Sequence, residues 1–375
     1  MTHHRTTGEA EPGEAEPGEA GPSPAGQAVL ALDIGGTKLA AGVVAADGRA
    51  LSFATCPTRV EDGTAAALRR LFELGDKALA DAGTAAGALL GTGIGCGGPL
   101  DSAAGVLIRP PHLPGWVDVP IVRLARDHFG LPTVLDNDGT AGAAGEWRFG
   151  AGRGCRHVLY LTVSTGIGGG LVLDGRTFRG GAGNGGEPGH VTVRSDGRPC
   201  KGCGRTGCLE AYASGTAIAE RATEAVEAAR ARGTATALAA YERLTAAEVA
   251  AAARQGDPVA TQVWADTVDA LGNGLTSLVN LFEPELVVLG GGVTRAGDRL
   301  LEPVRRLVAA QAMGPAARAV RIVRASGGDR AGVLGAAAIA LERLAPDSAL
   351  APDGTPAPVP GTAPPGPEPP EPAAP

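Results

Sequence analysis

Short apolar runs punctuated by glycine-rich turns alternate with longer amphipathic stretches along the chain. Residues 29–32 and 39–44 flank Asp33-Ile34-Gly35-Gly36-Thr37-Lys38, a pattern that predicts strand, tight turn, strand. Residues 64–82 place Leu68, Leu71, Phe72, Leu74 and Leu79 on one helical face. Residues 89–94 predict a buried strand leading into Gly95-Cys96-Gly97-Gly98-Pro99, where bare backbone can touch a ligand. The turn-rich Pro110-Pro111-His112-Leu113-Pro114-Gly115-Trp116 precedes a helix over 118–129. A strand over 133–135 then delivers Asp136-Asn137-Asp138 to an Ala/Gly helix ending near Phe149. His112, alone in its loop, reads as a surface residue.

The second half repeats this opening. Residues 158–163 are apolar, Ser164-Thr165-Gly166-Ile167-Gly168-Gly169-Gly170 reads as a turn, and residues 171–173 form the next strand. The repetition suggests a duplicated architecture with two phosphate-holding loops facing each other. Because a strand, not a helix, follows the glycines, they do not make a dinucleotide fingerprint. Helices are expected at 212–232, 245–254 and 258–281. A strand over 285–289 ends in Gly290-Gly291-Gly292, and a helix over 298–311, a strand over 320–324 and an Ala-rich helix over 331–343 complete the pattern.

At 375 residues the chain is longer than one hydrophobic core usually serves, so two domains are expected. Residues 1–26, an acidic Pro/Gly/Ala repeat, and residues 346–375, rich in Pro and Ala, bury too little apolar surface to offset ordering entropy and read as disordered tails. A formal charge of -7 and the absence of a basic run give no field for nucleic acid or a membrane surface. No long apolar span or secretory pattern occurs. Scattered and clustered cysteines without a disulfide framework point to the cytoplasm.

Three stretches carry candidate chemistry. Cys200, Cys203 and Cys208, with His190 upstream, have the ligand types and close spacing of a structural zinc site. Glu187 and Glu210 close the two ends of that loop and suggest part of a binding site. In DIGGTK, consecutive glycine N–H groups at Gly35 and Gly36 can hold an anion, with Thr37 and Lys38 as further donors and Asp33 near a cation's water shell. Asp138 reads equally as a helix cap and as a catalytic carboxylate at the carboxyl end of a strand.

DIGGTK, GCGGPLD, Asn137-Asp138, STGIGGG, EPGHV, the cysteine cluster ending GCLE and LVVLGGG occur in the order found in ROK-family sugar kinases. The resemblance, covering residues 28–343, is to the family's bacterial ATP-dependent glucokinases. It implies an α/β, two-domain actin-like ATPase/sugar kinase fold with a cleft between domains and a structural zinc loop. The small domain would be residues 27–136 plus 330–345 and the large domain 137–329. It also implies Asp138 as general base for the sugar 6-hydroxyl, and Gly98, Asn137, Glu187, His190 and Glu210 as sugar contacts. Asp33, Gly35, Gly36, Thr37, Lys38, Thr165, Gly166 and Gly291 would serve phosphate, magnesium and nucleotide. His190, Cys200, Cys203 and Cys208 would hold zinc, so His190 serves both zinc and sugar.

The implied reaction is ATP- and Mg2+-dependent phosphorylation of a hexose, glucose first, by a homo-oligomer (dimer or tetramer). Alternatives within the family are a kinase for N-acetylmannosamine, N-acetylglucosamine or another hexose, and a sugar-sensing regulator. Family repressors carry an N-terminal winged helix, whereas only residues 1–26 precede the first strand here, so no DNA-binding role is expected. Three departures from the family pattern stand out. Cys200 lies one residue early, with Gly202 available to absorb the extra residue, His112 replaces a common Asn, and Cys96-Gly97-Gly98 replaces a commoner apolar-Pro/Ala-Gly.

Overall fold

A computed structural model describes residues 28–345; both expected tails lie outside the described residues. The first half runs β1 (Ala28–Ile34), β2 (Lys38–Ala45), β3 (Ala54–Pro57), α1 (Thr64–Asp81) and β4 (Thr92–Cys96). A small ribbon, β5 (Leu100–Asp101) with β6 (Val106–Leu107), follows, then α2 (Ile121–Phe129), β7 (Thr133–Asn137) and α3 (Asp138–Phe149). The second half comprises β8 (Val158–Val163), β9 (Ile167–Leu173), β10 (Arg176–Phe178), α4 (Glu210–Ala213), α5 (Gly215–Ala231), α6 (Ala246–Arg254), α7 (Pro258–Phe282), β11 (Leu286–Gly290), α8 (Asp298–Gln311), α9 (Gly314–Ala319), β12 (Arg321–Arg324) and α10 (Ala331–Leu344).

Two five-stranded sheets result, ordered β3-β2-β1-β4-β7 and β10-β9-β8-β11-β12. In each, a three-strand antiparallel meander is extended by two parallel strands, so the sheets are topological copies. The duplication expected from the repeated strand–turn–strand pattern is therefore present. The central strands are buried on both faces, as crossover helices require. Leu71, Ile94, Ile121 and Leu135 fill one face of the first sheet beneath α1 and α2, while Val333, Ala336 and Ala340 of α10 cover the other. In the second half, Leu161, Leu271, Leu275 and Val304 join that sheet to α7 and α8.

Helices α3 and α10 pack on each other through Ala141, Ala144, Ala338 and Ile339. Their small residues are required by proximity. A Cβ on Gly145 would lie 3.0 Å from Gly335 Cα, and one on Gly139 would overlap the Gly169 carbonyl. Buried Glu146 fastens this pair by accepting from Ser326 N–H (2.8 Å), Gly327 N–H (2.8 Å) and Ser326 Oγ (3.0 Å) just before α10. Among the described residues no helix is long and apolar enough to cross a membrane.

Several boundaries differ from the sequence pattern. The fourth strand begins at Thr92, not 89, because residues 86–88 form a 3-10 turn and Leu90 N–H bonds back to Ala28. The helix expected over 212–232 is two helices broken at Ser214, whose hydroxyl accepts Ala217 N–H and caps α5. Pro120 postpones α2 to Ile121. The glycines at 168–170 lie within β9, not in the turn; a Cβ on Gly169 would strike Pro188, and one on Gly170 would strike the Gly139 carbonyl of α3.

Candidate active site and metal loop

The catalytic candidates meet where β7 becomes α3. Asn137, not Asp138, is the helix cap: its Oδ1 accepts Gly139 N–H at 2.8 Å. The Asp138 carboxylate shares that donor at 2.8 Å and otherwise faces the open side of the junction. It is reachable by solvent yet surrounded by protein on its remaining sides, and that desolvation pushes its carboxyl above the usual aspartate range while His112 opposes the rise. Behind it, fully buried Asp136 accepts Asn137 N–H at 3.0 Å and pairs with Arg179 Nε at 2.7 Å. Arg179 follows β10 of the other sheet and also reaches Glu342 of α10, at 3.4 Å. It ties the end of β7 to α10, a role its isolated position in the sequence does not signal.

Asp33 is the penultimate residue of β1, beside the first glycine turn. Burial, reinforced by the negative charge of Asp138, raises its carboxyl to about 7, with Lys38 opposing. Among the described residues no hydrogen bond is made to this carboxyl, and the charge of Asp138 disfavours its ionisation. The turn is closed by Gly35 N–H to the Lys38 carbonyl (3.0 Å), and Thr58 Oγ donates to the Gly35 carbonyl at 2.6 Å. Thr37 and Lys38 are exposed at its tip.

His112 is not the surface residue its lone loop position suggests. It is half-buried, its backbone lies against Gly36, and its ring Cε1 lies 2.5 Å from where a Cβ on Gly97 would stand. Burial lowers its pKa and Asp138 counteracts. The two glycines it packs against were the available signal: a Cβ on Gly36 would strike the His112 carbonyl, and one on Gly97 would strike the His112 ring. Gly98 stands beside Asn137, whose Nδ2 is 3.5 Å from the position of a Cβ on Gly98.

The metal loop gathers as the sequence suggests. One ligand atom each from His190, Cys200, Cys203 and Cys208 lie within 4.8 Å of one another. Cys203 Sγ and Cys208 Sγ are 3.5 Å apart, and Cys200 Sγ is 3.7 Å from His190 Nδ1. These spacings suit a tetrahedral ion with bonds of about 2.0–2.3 Å to nitrogen and sulfur. Cys200 is inside the cluster despite its early position. Burial holds its thiol well above the ordinary range, and a bound cation would reverse that by stabilising the thiolate. Gly204 and Gly207 take positive φ, and a Cβ on Gly207 would overlap the Arg194 carbonyl. Gly202 accommodates the extra residue by lying where any side chain would strike Glu210.

Glu210 is the first residue of α4, and both of its oxygens are engaged. Oε2 accepts Ile167 N–H at 2.9 Å and Oε1 accepts the Cys200 thiol at 3.4 Å. It therefore links the metal loop to the second glycine turn. Glu187 is raised first by burial, with His190 opposing and Asp138 and Glu210 adding to the rise, so these four groups form one electrostatic cluster.

In the second turn Ser164 N–H bonds the Gly166 carbonyl at 2.9 Å, and Gly215 and Thr216 at the start of α5 donate to Ser164 and Thr165 carbonyls. Thr165 opens into a cavity of about 370 Å³ shared with Thr216, Leu244, Ala246 and Gly292. Gly291, at φ 86°, turns the chain at its edge, where a side chain would strike the Val163 carbonyl. The wall contributed by residues 243–247 carries no motif and was not legible beforehand.

The carboxylates at the strand–helix junction, the paired glycine turns and the candidate metal loop occur together in one α/β fold. The profile of the ROK family matches residues 29–343, and the chain belongs to that family. It is 36% identical over 320 residues to a glucokinase of Thermotoga maritima, covering 84% of this chain and 98% of that protein. A crystal structure of a ROK hexokinase from Thermus thermophilus is 40% identical with a TM-score of 0.69, covering 83% and 97% of the two chains. A ROK glucokinase from Streptomyces griseus, solved with glucose and AMPPNP, is 35% identical with a TM-score of 0.67, covering 83% and 98%. Relatives of other function include an N-acetylmannosamine kinase of Shigella flexneri, 34% identical, covering 83% and 98%. A xylose repressor of Caldicellulosiruptor bescii is 32% identical and covers 74% of this chain and 69% of its own length.

Proposed function

We propose that the protein catalyses ATP-dependent phosphorylation of a hexose, glucose to glucose 6-phosphate. The observation that carries this reading is the convergence of Asp33, His112 and Glu187 on the electrostatic surroundings of Asp138 at the strand–helix junction. The two sheets act as lobes of an actin-like ATPase/sugar kinase fold, residues 27–136 with 330–345 forming one and 137–329 the other. The sugar lies between them, and the active species is a homo-oligomer.

Asp138 accepts the proton of the sugar 6-hydroxyl as that oxygen attacks the γ-phosphorus. The bond from the γ-phosphorus to the bridging oxygen breaks and ADP leaves. Phosphoryl transfer asks the protein mainly for in-line positioning and charge neutralisation, and one aligned carboxylate suffices as base. Asn137, Glu187, His190 through Nε2 and the Gly98 backbone hold the remaining hydroxyls. Glu210 orients His190's loop, and its occupied oxygens make it a positioning residue first and a sugar contact second. Gly35, Gly36, Thr37, Lys38, Thr165 and Gly166 receive the phosphates, and the cavity beside Gly291 suits the adenosine. Asp33 would hold magnesium, which supplies charge neutralisation at the β- and γ-phosphates. His190, Cys200, Cys203 and Cys208 would hold zinc, which fixes the loop without entering the chemistry.

A coupled ADP-release assay across glucose, mannose, fructose and the N-acetylhexosamines tests the reading. Glucose should give the highest kcat/KM. Preference for N-acetylmannosamine would transfer the assignment to that kinase, and release with no sugar in the panel would leave a sugar-sensing regulator as the better description.

A further inference from the structure

A second concavity, about 860 Å³, lies behind the metal loop, between residues 194–198, Tyr212, α5 and the start of α7. None of the residues assigned to sugar, nucleotide or zinc lines it. Its floor is built: Arg221 is only 8% exposed and its guanidinium is fixed by the Tyr212 carbonyl (2.8 Å), Thr267 Oγ (3.0 Å), the Val263 carbonyl (3.2 Å) and Asp266 (3.1 Å). Arg198 is neutralised by Glu224, with one contact at 2.7 Å.

Two further guanidiniums on the lining have no carboxylate partner among the described residues. Arg194 sits over the Tyr212 ring, 4.9 Å from its centre, and among the described residues neither Arg194 nor Arg232 has an acidic group within ion-pair distance. Asp196 is the only lining carboxylate outside the two pairs described, so the groove keeps a positive surplus beside an apolar wall from Ala225, Pro258 and Val259. Guanidinium groups favour phosphate oxygens through paired, charge-assisted hydrogen bonds, and the volume suits a small organic molecule better than a bare anion.

We propose that this groove binds a phosphorylated metabolite, with its phosphates on Arg194 and Arg232, as an effector site separate from the kinase site. Its occupancy reaches that site through Tyr212. Arg194 stacks on the Tyr212 ring, the Tyr212 hydroxyl accepts Arg198 N–H at 2.7 Å, and Tyr212 shares the short helix α4 with Glu210. Glu210 in turn holds the Ile167 N–H at the second glycine turn.

The test is calorimetric titration of fructose 1,6-bisphosphate into the full chain with its metal retained, for the wild type and the Arg194→Gln/Arg232→Gln double variant. Because binding is read without turnover, failure here is distinguishable from failure of the kinase assignment. The wild type should bind, and the double variant should bind at least about tenfold more weakly, since charged hydrogen bonds are lost. ADP release without effector should be unchanged in the variant, and the bisphosphate should shift the hexose KM at least about twofold in the wild type alone. No binding, or equal binding by both proteins, overturns the site. Equal affinity for inorganic phosphate overturns the metabolite class, and binding without a KM shift overturns the coupling. Loss of self-association in the variant with no bisphosphate binding to the wild type would identify the groove as a subunit interface instead.

Discussion

The Ile167 N–H donates to the Glu210 carboxylate at 2.9 Å, joining the second glycine turn to the helix that closes the metal loop. This hydrogen bond couples the turn proposed to receive phosphates to the candidate metal loop. Glu210→Ala strands the buried Ile167 N–H, at a cost of about 1–3 kcal/mol. Such a variant should lower Tm and raise KM for both ATP and sugar in steady-state kinetics. A rise confined to sugar would mean the hydrogen bond does not transmit between the two sides.

Zinc content provides a separate check. The wild type should contain one zinc per chain by elemental analysis. Cys203→Ala and Cys208→Ala should lose it, with weaker hexose binding or a lower Tm, because ligand binding energy at such sites is also folding energy. Cys200→Ala should behave the same way, since its sulfur lies 3.7 Å from His190 Nδ1. Full zinc retention in Cys200→Ala would remove that residue from the ligand set.

The packing of α3 on β9 predicts that Gly139→Ala is poorly tolerated, because the new methyl would overlap the Gly169 carbonyl. Overpacking of this kind costs about 1–3 kcal/mol or more, visible as a lower denaturation midpoint and, since Gly139 adjoins Asp138, a lower kcat. A wild-type midpoint would show that the helix can move away at no cost.

Asp33 predicts a pH dependence of stability. Its carboxyl is raised from 3.8 to about 7, so in that window the folded chain holds a proton that the unfolded chain has released. Stability of the magnesium-free protein should therefore carry a contribution that is present at low pH and lost as pH rises through about 7. Magnesium should offset this loss, raising Tm more at pH about 8 than at pH about 5 in calorimetric scans. Equal Tm shifts at both values would exclude Asp33 from the cation site.

Much of this architecture was written in local pattern. The apolar runs at 29–32 and 158–163, each followed by a glycine turn, identify the paired meanders because a buried central strand leaves an uninterrupted hydrophobic signature. The metal loop was equally legible, since all four ligands lie within one short stretch. What was hidden depended on distant neighbours. Gly168, Gly169 and Gly170 read as turn residues, yet they are strand residues, Gly169 kept bare by Pro188 and Gly170 by α3. Ser214 breaks an apolar period that looks continuous because a cap hydrogen bond outweighs it. The short edge strands β3 and β10 have too few residues to establish a period. His112 and Arg179 acquire their roles only when loops from separate elements close around Asp138.

The central claim is that Asp138 is the general base of an ATP-dependent hexose phosphorylation. It is tested most directly by ADP release at saturating ATP and glucose for Asp138→Asn beside the wild type, with glucose binding titrated on the same preparations. Removing a positioned general base costs about 10²–10⁴-fold in rate. The account predicts a kcat loss of that order with glucose affinity within a few-fold of wild type; near-wild-type turnover by Asp138→Asn would contradict it.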